Sequence, residues 1–371
     1  MKYICTQENL ARGLSIVGHL ANKSVTLPIL SHVLVKIDGK TIKLQTTNLE
    51  LAVSSILRGK VDEDGDFTVP AKLFADFVTL LPNDHVECSV VNGALAISCK
   101  NVKTQIRGIA AAEFPLIPTV TAITTISVNV EVLRNGLQQV VFAASPSETR
   151  PEISGVLFSW NGAGTLSLAA TDSYRLSERQ LASQGTGAAG DVIVPAKTAH
   201  ELLRVLGLLE EGEDTIEISI GENQVGFSSG NTVISSRVIE GRYPDYKQII
   251  PEKTESEVLI DRLALSRAAR SAGLFSRNGL NDVQLRVNKA NNMITVVGRD
   301  AQTGEQTVDV PCVVKGADAL VTLNYRYLLD GLNAITHEKI SIGLSDGNSA
   351  VLIRPDDPAA GFLYIVMPIK Q

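Results

Sequence analysis

The chain has no run of 18 uninterrupted apolar residues, and its first 25 residues break their apolar pattern with Glu8, Arg12 and Lys23. Neither a membrane span nor a signal peptide is expected, and the chain reads as cytoplasmic. There are only four cysteines, Cys5, Cys88, Cys99 and Cys312, on apolar stretches without a CxxC pair. Buried reduced thiols fit this usage better than disulfides or zinc. The five histidines show no ligand spacing, so no metal site is expected. No Walker A pattern occurs, and Asp38-Gly39-Lys40-Thr41 reads as a turn between strands. The one nucleophile-elbow match, Gly343 to Gly347, runs into strand-like residues and has no later histidine. Neither an enzyme nor a cofactor is expected. A basic excess is missing too: the net charge is −6 and the pI near 5.5, which taken alone speaks against a nucleic-acid binder.

What is present is repetition. PILSHVLV (28–35), PEISGVLF (151–158) and LNDVQLRV (280–287) each lead through a turn into LQTTNLELAV (44–53), LAATDSYRLSE (168–178) and TVVGRDAQTGE (295–305). FTVPAKLFADFVTLL (67–81) matches VIVPAKTAHELLRVL (192–206) and, more loosely, LVTLNYRYLLDGL (320–332). A hairpin turn then follows at Asn92-Gly93, at Gly221 to Asn223 and at Asp346-Gly347, where Gly and Asn supply φ > 0. Each unit closes on an aromatic or Met before proline: Phe114-Pro115, Tyr243-Pro244, Met367-Pro368. These prolines are 129 and 124 residues apart, against 124 for a third of the chain.

Three equivalent domains follow, at 1–118, 127–246 and 257–371. Each opens with apolar residues at helical spacing, Leu10, Leu14, Val17 in the first, Leu133, Leu137, Val140 in the second and Leu265, Ala268, Ala272 in the third. The expected fold is α+β, two helices per domain packed on antiparallel sheets, with helices over 7–23, 71–81, 129–150, 196–209, 261–277 and 324–336.

A domain of a third of this chain has a diameter of about 35 Å. Such bodies set around a duplex of roughly 10 Å radius plus a layer of water have their centres on a circle of about 200 Å, which about six would fill. Three cover half the circle, and two chains joined head to tail close it.

The threefold repeat, the paired VPAK junctions, TLPIL (26–30), TDSYRL (171–176), YPDY (243–246) and the terminal VMPIK together resemble the bacterial beta sliding clamp, the DNA polymerase III beta subunit. The resemblance covers the whole chain. It implies a homodimeric ring around double-stranded DNA, helices inside and sheets outside, that tethers the replicative DNA polymerase without reading base sequence.

Charge bears on this separately. The six expected helices carry +5 and so leave −11 to the rest of the chain. Spaced Lys and Arg attract phosphate at any register, which suits sliding. The candidate DNA-facing residues are Lys23, Lys72, Arg134, Arg150, Lys197, Arg204, Arg267, Arg270 and Arg277. The alternative for each is a solvated surface charge, and for the whole chain a repeat-built peptide scaffold that never encircles DNA.

TDSYRL lies where the first unit has TNLELA, so its Thr-Asp pair reads as a turn cap. The resemblance implies a cleft between the second and third domains that receives short linear motifs of the polymerase, the clamp loader and repair proteins. Carried over, that cleft comprises Ile153, Thr171, Tyr174, Arg175, Leu176, Pro244, Ile249, Val351, Ile365, Met367, Pro368 and Ile369, with apolar walls for the anchors and Arg175 to orient the peptide. Ser173-Tyr174 stands where the family has Gly-His, and Gln248 where a basic residue is common.

Overall fold

The structure, a computed structural model, describes residues 1–21, 27–210 and 212–370. The first repeat runs β1 (Lys2–Thr6), α1 (Gln7–Gly18), β2 (His32–Asp38), β3 (Thr41–Thr47), β4 (Leu51–Leu57), β5 (Gly59–Glu63), β6 (Gly65–Pro70), α2 (Ala71–Thr79), β7 (His85–Val91), β8 (Ala94–Cys99) and β9 (Val102–Arg107). The second runs β10 (Thr124–Asn129), α3 (Val130–Val140), β11 (Gly155–Trp160), β12 (Thr165–Thr171), β13 (Arg175–Ala182), β14 (Gln184–Thr186), β15 (Gly190–Pro195), α4 (Ala196–Leu206), β16 (Thr215–Ile220), β17 (Gln224–Ser229) and β18 (Thr232–Arg237). In the third, β19 (Ser256–Asp261), α5 (Arg262–Gly273), β20 (Asp282–Asn288), β21 (Met293–Asp300), β22 (Gly304–Lys315), β23 (Ala319–Asn324), α6 (Tyr325–Ala334), β24 (Lys339–Leu344), β25 (Val351–Pro355) and β26 (Phe362–Val366) follow the same order. The long β22 serves as two strands, pairing with β21 through its first part and with β19 through its last.

Local chemistry starts each helix. Thr6 and Asp261 accept hydrogen bonds from the N–H groups three residues on, Asn324 caps α6 through Arg326 and Tyr327, and α2 and α4 begin directly after Pro70 and Pro195. The helices stop earlier than their apolar spacing predicts. α1 ends at Gly18, and α5 at Gly273. α3 gives way at Val141 to a single 3-10 turn ahead of Ser145-Pro146, because proline removes the N–H that the next turn needs. Arg150 and Arg277 therefore lie beyond the ends of their helices, and Lys23 lies outside the described residues.

By packing, the chain forms two units that divide the middle repeat. The first takes Met1–Glu131, Gln184–Ala188 and His200–Val238; the second takes Val132–Ser183, Ala189–Ala199 and Ile239–Gln371. In the first unit one sheet has the order β5-β1-β7-β8-β9, and another, β14-β10-β16-β17-β18-β4-β3-β2-β6, passes from the second repeat to the first through antiparallel β18 and β4. The second unit holds one sheet of order β15-β11-β12-β13-β26-β25-β24-β19-β22-β21-β20-β23, which passes from the second repeat to the third through β13 and β26. In both units the last hairpin strand of one repeat pairs with the fourth strand of the repeat before it. Continuous ladders satisfy the edge strands there and make each junction as regular as a domain interior.

Apolar side chains from helices and sheets fill the cores. In the third repeat Leu265, Ala268 and Ala272 of α5 meet Leu328 and Leu332 of α6 over Val283, Leu285 and Ile342. Burying such a side chain contributes about 1.5–3 kcal/mol. Gly331 is needed by contact: a Cβ there would stand 2.1 Å from the Tyr364 ring. Cys5, Cys88 and Cys99 are buried free thiols, whereas Cys312, on β22 with its alternating exposure, is only half-buried. No helix among the described residues is long and apolar enough to cross a membrane.

Candidate functional site

The Thr-Asp pair of TDSYRL closes a turn. Asp172 Oδ1 accepts from the N–H groups of Tyr174 and Arg175 at 2.9 and 3.0 Å, Thr171 Oγ1 donates to the Arg175 carbonyl, and Ser173 takes φ = 76°. The same device recurs in the first repeat, where Asn48 receives Glu50 and Leu51 and Leu49 takes φ = 79°, and in the third, where Asp300 receives Gln302 and Thr303. The side chain mimics a backbone turn, which is why Asn or Asp stands there each time.

Arg175 is occupied. Its Nε donates to Asp172 at 3.0 Å, Nη1 to Asp330 on α6 at 2.5 Å, and Nη2 to the Phe142 carbonyl at 2.9 Å. The guanidinium lies over the rings of Tyr327, 4.5 Å from its centroid, and Phe142, 5.4 Å away, and its side chain is 11% exposed. Burial opposes the charge, but Tyr364, Asp330 and Asp172 outweigh it and raise the pKa. Bidentate reach and a flat face that stacks make arginine the residue for such a place. Through these three hydrogen bonds the guanidinium joins the second repeat to the third.

Beside this junction lies an apolar cluster. Ile153, Leu157, Ala169, Leu176, Ile193, Tyr243, Tyr246, Leu352 and Ile365 are buried together, with Met367 and Ile250 packed against them. The Met367 N–H donates to the Tyr174 carbonyl at 2.8 Å, which ties the C-terminal segment to the TDSYRL turn. Tyr174, 63% exposed, stacks on Tyr327 with centroids 6.4 Å apart. Below them the buried Glu178 accepts from the Tyr246 hydroxyl at 2.5 Å, and burial together with that carboxylate drives the Tyr246 phenol far upward.

Of the residues expected in a cleft, Ile153, Leu176, Ile365 and Met367 meet in this cluster; Pro244 and Pro368 follow Tyr243 and Met367 in the chain, Thr171 pairs with Leu176 across the β12–β13 ladder, and Tyr174 is tied to Met367 by its carbonyl. Ile249 is exposed. Val351 belongs to the third repeat's core instead, and its neighbour Leu352 joins the cluster, since a shift of one residue along a strand reverses the face. Ile369 is also placed elsewhere: its N–H donates to the Thr322 carbonyl, and it lines a separate groove on the third repeat. Leu157, Ala169, Ile193, Tyr243, Tyr246 and Leu352 are the members that sequence reasoning missed, and Tyr327, packed against the third repeat's core, is the unexpected partner of Tyr174; the apolar run along β11 was the available sign for Leu157.

The basic candidates fall into two groups. Arg204 is held like Arg175: it forks onto Glu201 at 2.7 and 3.1 Å and caps the Ser15 and Ile16 carbonyls of α1, while Glu201 also meets His19 at 2.7 Å. It staples the first repeat to the second and leaves no fork for phosphate. Arg277 sits beyond α5 on Asp282 at 2.5 Å, and Arg150 sits on Glu152 and Ser173, so neither is a helix residue. Arg134 on α3 is half-buried. Lys72, Lys197, Arg267 and Arg270 project from α2, α4 and α5 with exposed side chains. Arg326, exposed in the first turn of α6, occupies the position of Lys72 and Lys197 in the third repeat. Aligning YR with the two AK pairs would have found it. The helices as formed carry +4 against −6 for the chain, leaving −10 elsewhere.

Comparison with known proteins places this geometry. Residues 1–118, 127–245 and 247–370 match in turn the N-terminal, central and C-terminal domains of the DNA polymerase III beta subunit. The beta sliding clamp of Synechococcus elongatus is 31% identical over all of this chain and 99% of its own, and that of Pseudomonas aeruginosa is 28% identical over the full length of both. Among solved structures, the Pseudomonas aeruginosa sliding clamp bound to griselimycin superposes with a TM-score of 0.94 at 27% identity, both chains covered in full. The Thermotoga maritima beta subunit gives 0.93 at 26%, with 100% of this chain and 99% of that one covered. Three repeats of one α+β plan, sheets continuous across two junctions and these matches from end to end lead to one conclusion: the chain belongs to the DNA polymerase III beta subunit family, the bacterial beta sliding clamps.

Proposed function

We propose that two copies of this chain close head to tail into a ring around double-stranded DNA and there hold the replicative DNA polymerase, the clamp loader and repair proteins by short linear motifs. The ring acts in the cytoplasm, has no catalytic step of its own, and stays on DNA by linkage. Its domains are 1–118, 127–246 and 257–371.

The observation that carries this reading is a pair of strand edges. At both internal junctions a last hairpin strand, β18 or β26, pairs with the fourth strand of the preceding repeat. Two strands of these types keep an edge that no other strand takes among the described residues: β9 of the first repeat and the first part of β22 in the third. Unpaired edges invite the strand they match, here that of a second copy. The register follows from the internal pairs. Val233 opposite Ser54 and Ile234 opposite Val53 transpose to Lys103 opposite Thr307 and Thr104 opposite Gln306.

The helices agree. Glu201 on α4 and Asp330 on α6 each meet a neighbouring repeat, and Val205 is buried; their counterparts on α2, Asp76 and Leu80, are bare, Leu80 at 82% exposure. His19 and Phe142 make those junctions from just beyond α1 and α3, and their counterpart Leu274, just beyond α5, is 77% exposed. Exposed leucines at both free ends mark surfaces made to be covered.

Inside the ring, Lys72, Lys197 and Arg326 present one cation per repeat, with Arg267 and Arg270 beside them. Such a wall attracts phosphate without reading bases. Partner peptides seat their apolar anchors beside Met367 and the exposed Tyr174 and Ile249, over the buried Leu176 and Ile365. The test is a cysteine pair, Lys103→Cys with Thr307→Cys: opposed residues stand about 4.5–5.5 Å apart between Cα atoms, within disulfide reach. Oxidation should give a covalent dimer that survives denaturant. A chain that stays monomeric and uncrosslinked removes the ring.

A further inference from the structure

The C-terminal segment lies between the apolar cluster and a groove. Its Met367 packs against the apolar cluster, while Ile369, pinned to the Thr322 carbonyl at 2.8 Å, lines the groove, of about 710 Å³, on the solvent-facing side of β20 and β21. Two residues of extended chain span only about 7 Å. The groove thus shares a wall with the site read above as the peptide cleft, and the inference rests on that reading.

Its chemistry differs from the cleft's. Arg277, Arg286, Arg299 and Lys370 line it against a single lining carboxylate, Asp282, for a local excess of +3 in a chain of net charge −6. Arg277 is engaged by Asp282, and Arg299 lies 3.6 Å from Glu305. Arg286, by contrast, donates to the neutral side chain of Gln284. Between the charges stand Leu280, Val297 and Ile369. The matching recess of the first repeat, lined by Lys36, Lys43, Asp38 and Asp66, has no such excess. The repeat alone therefore does not explain the charge.

We propose that this groove is the second half of the peptide site and binds acidic residues flanking the apolar anchors of a partner segment. Carboxylates would pair with Arg286 and Lys370 while the aliphatic side chains cover the peptide stem. A nucleic-acid strand is the less suited occupant, because no aromatic ring lines the groove to stack a base. Two partly exposed ion pairs add little each, so the expected gain is about fivefold in affinity.

The experiment uses the full-length chain and two fluorescent peptides that share leucine and phenylalanine anchors, one followed by glutamates and one by glutamines. The glutamate peptide should bind about fivefold tighter at low salt, lose that margin in 0.5 M salt, and lose it again in the double variant Arg286→Glu, Lys370→Glu, while the glutamine peptide is unaffected. Unchanged melting of the variant, with Arg286→Gln as a milder companion, shows that the fold persists. Equal affinity for the two peptides overturns the groove and leaves the cleft standing. If neither peptide binds, the cleft itself is refuted and the groove with it. Displacement of the glutamate peptide from the groove by a single-stranded oligonucleotide at lower concentration assigns the surface to nucleic acid and overturns the proposal.

Discussion

Replacing Arg175 by leucine separates a structural role from a ligand-binding one. The substitution keeps an aliphatic side chain between Phe142 and Tyr327 but removes the donors to Asp172, Asp330 and the Phe142 carbonyl. Breaking a buried ion pair by removing one member costs about 3–5 kcal/mol, since the other charge is left without compensation. Asp172 has only 8% of its side chain exposed but keeps two backbone N–H donors, and Asp330 is 45% exposed. The cost therefore falls at the lower end, about 3 kcal/mol. For a cooperative unit of about 150–250 residues each kcal/mol moves Tm by about 2–4 °C, so a fall of about 6–12 °C is expected. Calorimetry of Arg175→Leu measures it, with Tyr174→Ala as the exposed neighbour that should melt within about 2 °C of the parent. If Arg175→Leu melts like the parent while peptide affinity collapses, the guanidinium belongs to the ligand and the account of this junction is wrong.

Leu274→Lys should yield a monomer in sedimentation with native melting of its domains; an intact dimer would exclude this face from ring closure. Changing Lys72, Lys197 and Arg326 together to glutamine should flatten the dependence of DNA affinity on salt, by about 0.9 in the log–log slope for each phosphate no longer neutralised; an unaltered slope would take these side chains off the DNA. Met367→Ala should weaken binding of an apolar-anchored peptide at least about tenfold, with the dimer retained; full affinity would move the peptide elsewhere. His32 is buried against Thr68, and burial lowers its pKa from the ordinary 6.5. The unfolded chain then takes up a proton first as pH falls, so this contribution is present above about pH 6.5 and lost below it. His32→Gln should reduce the drop in Tm between about pH 6.5 and 5, and an identical profile would contradict the assignment.

Much of the fold is legible in the sequence because its devices are local and used three times. Asn48, Asp172 and Asp300 close the same turn, Pro70 and Pro195 start equivalent helices, and the apolar spacing on α1, α3 and α5 marks one buried face each. Helix ends are less legible, since Arg150 and Arg277 continue a basic pattern past the residues that hold helical hydrogen bonds. Charge roles are the least legible. Arg175 and Arg204 look like any exposed arginine until Asp330 and the α1 carbonyls, more than 150 positions away, are brought to them. Arg326 escaped for the opposite reason: its helix starts with Asn324-Tyr325 in place of Pro-Ala, which hides a position the repeat keeps basic. Val351 and Leu352 differ by one place on a strand, and only the ladder with β26 decides which of them joins the apolar cluster beside the junction.

The central claim is that the chain holds DNA by encircling it. The most direct measurement loads the protein onto a nicked circular plasmid, isolates the complex in high salt, and then cuts the plasmid once with a restriction enzyme. The account predicts that the protein stays on the circle and leaves within minutes of the cut by running off the ends. Equal retention on circular and linear DNA, or release from both at high salt, would contradict it.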